Sequence, residues 1–459
     1  MKQFTATEIS AAVSGELIQG QPQAVFHTVC TDTRQISAGD LFIALIGDKF
    51  DAHDFIDKAI SGGATGVVVS RPVDTGLWSG TVILVDDTLK ALQELARFNR
   101  RHFHGLVVGV TGSNGKTTTK DLIASVLQQK FVTLKTEGNF NNHIGLPLTL
   151  LKLDNTFGAV ILEMGMRGLG EIDLLAGIAK PDGVVITNIG ETHIERLGSI
   201  SNIAKAKGEI LDHVSETGFA ILNGDDPLVR QQSARCRGRV IYYGMQIDTG
   251  IQANDINTGN GKTQHFNVKT PVGRTDISLP LPGRHNVLNS LAAIGVGLEA
   301  GISLPDIKKG LEIATFTAMR LEITEGKKAT IINDTYNASP ASVKAALQIL
   351  ADLGKGRRKV AILGDMYELG GRSSEGHREV GLEAAALKVD VLITVGKLAN
   401  EIALGATLSD RPPAEIICLN TNAEAQIHLK KIILPGDVVL VKGSRGMKLE
   451  EIVAGLIEI

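Results

Sequence analysis

Aromatic residues make up only 4% of this 459-residue chain, with one tryptophan and four tyrosines. So few rings give no stacking platform for nucleic-acid bases. A formal net charge of −3 gives no basic field to draw in a nucleic acid or an anionic membrane, and the local clusters Arg100-Arg101 and Lys355 to Lys359 read as solvated loops. Cysteine is scarce. Cys30, Cys236 and Cys418 lie far apart and form no CxxC pair, which gives no zinc signature and fits a reducing compartment. The opening MKQFTATEIS lacks the apolar core of a signal peptide, and no apolar run reaches the length of a membrane span. The expectation is a cytoplasmic globular protein, without membrane insertion or nucleic-acid partner, of about three domains.

Against these absences stands GLVVGVTGSNGKTTTKD at 105–121. An apolar strand, Leu106 to Val110, runs into a glycine-rich turn ending in Gly115-Lys116-Thr117, where a helix opens. Backbone N–H groups at a helix N-terminus face an anion; the lysine adds a point charge and the threonine a hydroxyl for Mg²⁺. Val110 stands where the usual phosphate-loop pattern has its first glycine, and Gly109, Gly112 and Gly115 are the glycines present. A ligand-free βα turn is the alternative.

Short apolar strands alternate with helices throughout, and the fold class expected is α/β in three domains. Residues 1–84 form a small N-terminal α/β domain, with strands at 41–47, 66–70 and 81–87 and a helix at 54–64. Residues 85–315 form a central domain built on a P-loop-type parallel sheet. It has a helix from Thr88 to Arg101, buried strands at 159–165, 183–190 and 219–225, a polar strand-like excursion at 240–280, and a helix from Asn286 to Ala300. Residues 316–459 form a Rossmann-like last domain with strands at 329–334, 359–365, 389–396 and 437–444. Each of these last strands ends in Asp, Gly or Ser, where ligands collect in open α/β sheets.

Several residues carry candidate chemistry. Glu163 ends an apolar strand, where a Mg²⁺ ligand belongs in a phosphate-loop domain; a capping or salt-bridged glutamate is the alternative. His193, in GETHIERLG, is a candidate second ligand or simply a surface histidine. Residues 199–214 read as a helix with an apolar stripe Ile200, Ile203, Ala204, Lys207, Ile210, Leu211, Val214. Lys207 lies on that stripe and Lys205 does not. A lysine on a buried face either snorkels out or has a lowered pKa. Asn286 and Asn289 share a helical face able to read a purine edge, with Asn286 a possible cap. Asp334 and Tyr336 follow a strand end and suit a ribose and an adenine. Arg320 could reach a nucleotide phosphate across a domain cleft.

TGSNGKTTT, the strand-end Glu163, TNIGETH, AKAKGEI, LNGDDP, GRHNVLNSLAA and MRLE occur in this order, and the chain resembles the Mur ligase family along essentially its whole length. That resemblance implies an ATP-dependent ligase forming a C–N bond. GNFNNHIGLP (138–147), NDTYNASPAS (333–342) and LGDMYELG (363–370) resemble the branch that joins D-alanyl-D-alanine to a UDP-linked muramoyl tripeptide in peptidoglycan synthesis. Another amino-acid ligase of the family, or a silent nucleotide-binding homologue, is the alternative. The altered first glycine is ordinary for the family. The resemblance implies that Gly112, Ser113, Asn114, Gly115, Lys116, Thr117 and Thr118 hold ATP, with Asn286, Asn289, Arg320, Asp334 and Tyr336. Thr117, Glu163, His193 and Lys207 would hold Mg²⁺, two ions in this family. Lys207 would be carried as a carbamate made with CO₂. Lys116, Lys207 and His193 would be catalytic. Thr33, Arg34, Asp51, His53, Asn139 and Asn142 would bind the UDP substrate. Lys442, Ser444 and Arg445 would lie near the second substrate. The expected state is a monomer.

Overall fold

Three sheets succeed one another along the chain. The structure, a computed structural model, describes residues 3–246, 248, 250–259 and 261–459. The first sheet runs Glu16–Gln19, Thr81–Leu84, Gly66–Val69, Leu41–Ile43, Val29–Cys30, with only the first strand antiparallel. The last has six strands in the order Glu322–Glu325, Thr330–Asp334, Val438–Lys442, Lys359–Gly364, Val391–Val395, Glu415–Leu419, again with one antiparallel edge.

The central sheet has nine strands. From one edge they are Thr133–Lys135, Ala159–Glu163, Leu106–Thr111, Gly183–Ile186, Phe219–Asn223, Arg239–Gly244 and Ile251–Thr258, all parallel, then Gln264–Thr270 and Gly273–Leu279, antiparallel. The polar excursion at 240–280 thus extends the sheet; its residues 247, 249 and 260 lie outside the described residues. Gln264–Thr270 alternates buried and exposed, as a strand with one wet face must. By contrast Ala159–Glu163 and Gly183–Ile186 are buried at every position.

This order places the phosphate loop. The strand Leu106–Thr111 pairs with Ala159–Glu163 on one side and Gly183–Ile186 on the other, so the chain changes sides there. A crevice opens at the carboxyl ends of strands at such a switch point. Register puts Val110 beside Glu163 and Thr111 beside Ile186.

Thr88–Arg101 forms over the expected span, its start capped by Asp87, whose carboxylate accepts from the N–H groups of Leu89 and Lys90. The span 199–214 is a helix only to Gly208 and continues as a tighter 3₁₀ turn, Glu209–His213. Its stripe is buried at Ile203, Ala204 and Lys207, but Ile200 is 38% exposed because it lies in the first turn, beyond the packed face.

Candidate active site

The glycines of the loop are required by what surrounds them. Gly112 has φ +150 and Gly115 φ +80. A Cβ at Gly112 would fall 1.9 Å from Thr187 Oγ1, and one at Gly115 2.6 Å from Asn289 Oδ1. The loop is clamped from the neighbouring strand end. Asn188 Oδ1 accepts from Asn114 N at 3.0 Å and its Nδ2 donates to Asn114 O at 2.9 Å. Thr187 Oγ1 donates to the same carbonyl, and Ser113 Oγ exchanges hydrogen bonds with Gly190. Beyond the clamp, the first-turn N–H groups of helix Lys116–Leu127 have no intrahelical acceptor and face the crevice.

Two lysines converge on one carbonyl. Lys116 Nζ and Lys207 Nζ each donate to Gly112 O at 2.9 Å. Burial pushes the Lys116 ammonium below its usual range; Glu163 opposes this and Arg320 adds to it. Burial, with Lys116 alongside, pushes the Lys207 ammonium well below its usual range, which favours the uncharged amine. Lys207 is buried and Lys205 exposed, as the helical phase requires.

Glu163 is buried, with both oxygens engaged. Thr117 Oγ1 donates to Oε2 at 2.8 Å and Asn141 Nδ2 to Oε1 at 2.8 Å. A hydroxyl and a carboxylate facing each other at a loop for phosphates are the donor set Mg²⁺ takes alongside phosphate oxygens. Among the described residues, however, no three His, Cys, Asp or Glu side chains converge to hold a metal ion. His193 has left-handed backbone (φ +66), and its Nδ1 lies 2.6 Å from Glu368 of the last sheet's unit.

The last unit closes over this crevice. Ser339 Oγ donates to Asn114 Oδ1 at 3.2 Å, and Arg372 Nη1 reaches Glu191 at 2.5 Å. Arg320 stacks on Tyr336, 4.1 Å from ring centre, and its buried Nε has no hydrogen-bond partner among the described residues. A buried guanidinium N–H without a partner is a donor that calls for an acceptor. Asp334 is not free for a ribose here: Lys442 Nζ lies 2.5 Å from one oxygen, and Leu321 N donates to the other.

The other expected residues divide. Asn289 Nδ2 donates to Asn286 Oδ1, and Asn286 Nδ2 to Pro282 O, so the pair braces Gly115 and presents little free amide to a purine. Ser444 Oγ accepts from Tyr367 N, and Arg445 pairs with Glu450. Asn139 is exposed, while Asn142 Oδ1 caps the helix Gly145–Leu151. In the first unit Thr33 is half-buried, and Arg34 forms a fork with Asp32. His53 departs from expectation. Its Nδ1–H donates to Asp51 at 2.6 Å and its Nε2 accepts from Ser70 N, so the ring is buried as a brace.

Sequence reasoning passed over Asn141 in favour of its neighbours, because an irregular loop has no periodicity to say which amide turns inward. It passed over Asn188 as well, although that residue lies in TNIGETH; the only available signal was an amide next to a strand end beside the loop.

Comparison with known proteins closes the question of class. Three family models match in series: Mur ligase family, catalytic domain, at 25–100; Mur ligase middle domain at 110–297; and Mur ligase, glutamate ligase domain, at 319–445. The chain belongs to the Mur ligase family. The UDP-N-acetylmuramoyl-tripeptide–D-alanyl-D-alanine ligase of Bacillus subtilis is 43% identical over 99% of this chain and 98% of that protein. That of Escherichia coli is 37% identical over 100% and 99%. A crystal structure of MurF from Acinetobacter baumannii superposes with TM-score 0.91 at 33% identity, covering 100% of this chain and 99% of that one. MurF from Thermotoga maritima in complex with ADP gives 0.81 at 29%, covering 94% and 97%.

Proposed function

We propose that this chain uses ATP to join D-alanyl-D-alanine to UDP-N-acetylmuramoyl-tripeptide, making the pentapeptide precursor of peptidoglycan. The observation that carries the reading is the pair of lysines, Lys116 and Lys207, meeting at Gly112 O beside the Thr117–Glu163 pair. The full-length likeness to ligases of that name selects the substrates.

A carboxylate is a poor acyl donor because oxide is a poor leaving group. Its oxygen attacks the γ-phosphorus of ATP and ADP departs, leaving an acyl phosphate. The amine of D-alanyl-D-alanine then attacks the carbonyl carbon, phosphate leaves, and the amine proton is lost. Positioning and charge neutralisation are the protein's contribution. Lys116 and Arg320 supply fixed positive charge, and the clamped loop supplies N–H groups. Thr117 and Glu163 would hold Mg²⁺, which supplies neutralisation of phosphate charge, with His193 joining only if it turns from Glu368. Lys207 suits a carbamate: burial favours its uncharged amine, the form that adds CO₂, and the anion formed would attract Lys116.

We place the domain boundaries near residues 84 and 315, in the stretches between sheets. The protein acts as a monomer in the cytoplasm in this reading; among the described residues no helix is long and apolar enough to cross a membrane. Mass spectrometry of products formed from ATP, the muramoyl tripeptide and D-alanyl-D-alanine tests the assignment. Pentapeptide and ADP in equal amounts are expected. Product from single amino acids but not from the dipeptide would overturn it.

A further inference from the structure

One turn beyond Thr117, the phosphate-loop helix carries a buried ionic cluster that the reaction described above does not use. Lys120 and Asp121 have side chains 1% and 0% exposed. Lys120 Nζ donates to Thr136 O at 2.8 Å and lies 3.4 Å from Asp121 Oδ1; Lys135 Nζ lies 2.6 Å from the same oxygen. The other oxygen, Oδ2, points elsewhere. It accepts from Thr317 N at 2.9 Å and from Thr317 Oγ1 at 2.8 Å. Burial raises the Asp121 pKa, but Lys120 and Lys135 outweigh it and hold the group ionised. A buried cluster of this kind is a poor source of stability compared with well-packed apolar side chains, so its value lies in the geometry it fixes.

Thr317 sits in the stretch that carries the chain from helix Leu304–Glu312 to the last sheet at Glu322. That stretch is strained. Met319 (φ +62) and Leu321 (φ +53) are both left-handed without being glycine, and they flank Arg320. Such conformations persist only where the surroundings over-determine them. Met319 O accepts from Tyr336 N, Met319 N donates to Glu322 and Leu321 N to Asp334. Asp121 is the member of this set that comes from the central domain. The result is Arg320 stacked on Tyr336 with its Nε unpartnered, close enough to Lys116 to disfavour that ammonium.

We propose that Asp121 is a positioning residue for the nucleotide site. By gripping Thr317 it sets where Arg320 stands relative to Lys116, so that one helix places phosphate-binding groups from both domains. This rests on the reading of Arg320 as a nucleotide contact. The test is ATP affinity by calorimetry for Asp121→Asn and Thr317→Val, each in the native background and with Arg320→Ala. In the native background we expect Asp121→Asn to weaken ATP about tenfold and Thr317→Val about threefold, less than the direct loss of a hydrogen bond to a charged group because the effect reaches ATP only through Arg320. With Arg320→Ala already present, both losses vanish, because a residue acting through Arg320 has nothing left to place. Equal fold-losses in the two backgrounds overturn the proposal while leaving Arg320 a nucleotide contact. Native affinity in Arg320→Ala alone overturns both that reading and the proposal. Should Asp121→Asn fail to fold, Thr317→Val, which leaves Lys120, Asp121 and Lys135 in place, decides the matter alone.

Discussion

At the junction between the first and central sheets, Phe4, Ile9 and Phe26 share one continuous apolar core with Leu92, Leu95, Leu150 and Leu175. At the junction between the central and last sheets, only partly buried side chains such as Phe316 and Leu321 reach the central core, and polar contacts stand beside them. Arg372 meets Glu191, His193 meets Glu368 and Ser339 meets Asn114, while the buried Asp121 holds Thr317 in the connecting stretch and stays with it. The last unit keeps its own cores, around Ile332 and Leu440 on one face of its sheet and Val439 and Ile452 on the other. Water offers an apolar side chain nothing in place of its packed neighbours, so the first junction is expected to stay shut. Hydrogen bonds and part-exposed ion pairs exchange readily with water, so the second can open and close. An acyl phosphate needs protection from water while substrates and products need passage, and the openable junction is the one that carries the chemistry.

The largest effect expected is at the polar junction. Lys116→Ala should lower turnover by about a thousandfold, the scale for losing a preorganised charge at a transferring phosphoryl group, with the fold intact by circular dichroism. Near-native turnover would sink the phosphate-loop assignment. Lys207→Ala should also lose most activity, with partial recovery in added short carboxylic acids, while Lys205→Ala stays near native. An inactive Lys205→Ala beside an active Lys207→Ala would mean the wrong lysine had been chosen.

At the apolar junction the expected loss is one of stability. Leu95→Ala should cost about 2–5 kcal/mol in chemical denaturation. A smaller loss, with the first and central units melting separately, would break the contrast between the junctions. His285 offers a pH handle near the polar one. Burial, with Lys442 adding and Asp334 opposing, pushes its pKa from 6.5 down to about 4. Between those values the unfolded chain takes up a proton that the folded chain refuses. Stability should therefore fall as pH drops from about 6.5 towards 4, then level off. In His285→Gln that part of the slope in melting temperature should disappear; an unchanged slope would count against it.

The smallest effect sharpens the comparison most. Glu191→Arg or Arg372→Glu should shift stability by only about 0–1 kcal/mol, as for a part-exposed pair. Small-angle scattering of either single variant with an ATP analogue should show a more open molecule, more so for Arg372→Glu, which also sets like charge against Glu375 and Glu379. Single variants as closed as the native protein would show that this pair does not latch the domain.

The α/β rhythm was legible because buried parallel strands are continuous apolar runs, as at Ala159–Glu163, and because Thr88–Arg101 begins at a capping aspartate. Lys207 was legible because helical phase alone sets which lysine faces inward. Asn141, Asp121 and Thr317 were not. Their partners lie 22 residues away for Asn141 and 196 residues apart for the Asp121–Thr317 pair, and no local period encodes such a meeting. Glu368 and Arg372 escaped for the same reason.

The shared apolar core also bears on how the chain is made. The face of the first unit formed by Phe4, Ile9 and Leu41 belongs to a core that continues through helices Thr88–Arg101 and Gly145–Leu151 of the central unit. A ribosome adding about 5–20 residues each second would leave that face uncovered for roughly three to thirteen seconds after Leu84 emerges, until the helix ending at Leu151 follows. The opening segment is thus a unit in its strand order but not in its synthesis. A fragment ending near residue 84 would display a bare apolar surface and be a ready client for chaperones. The last unit, whose two cores lie wholly within its own span, can close on itself as it leaves the tunnel.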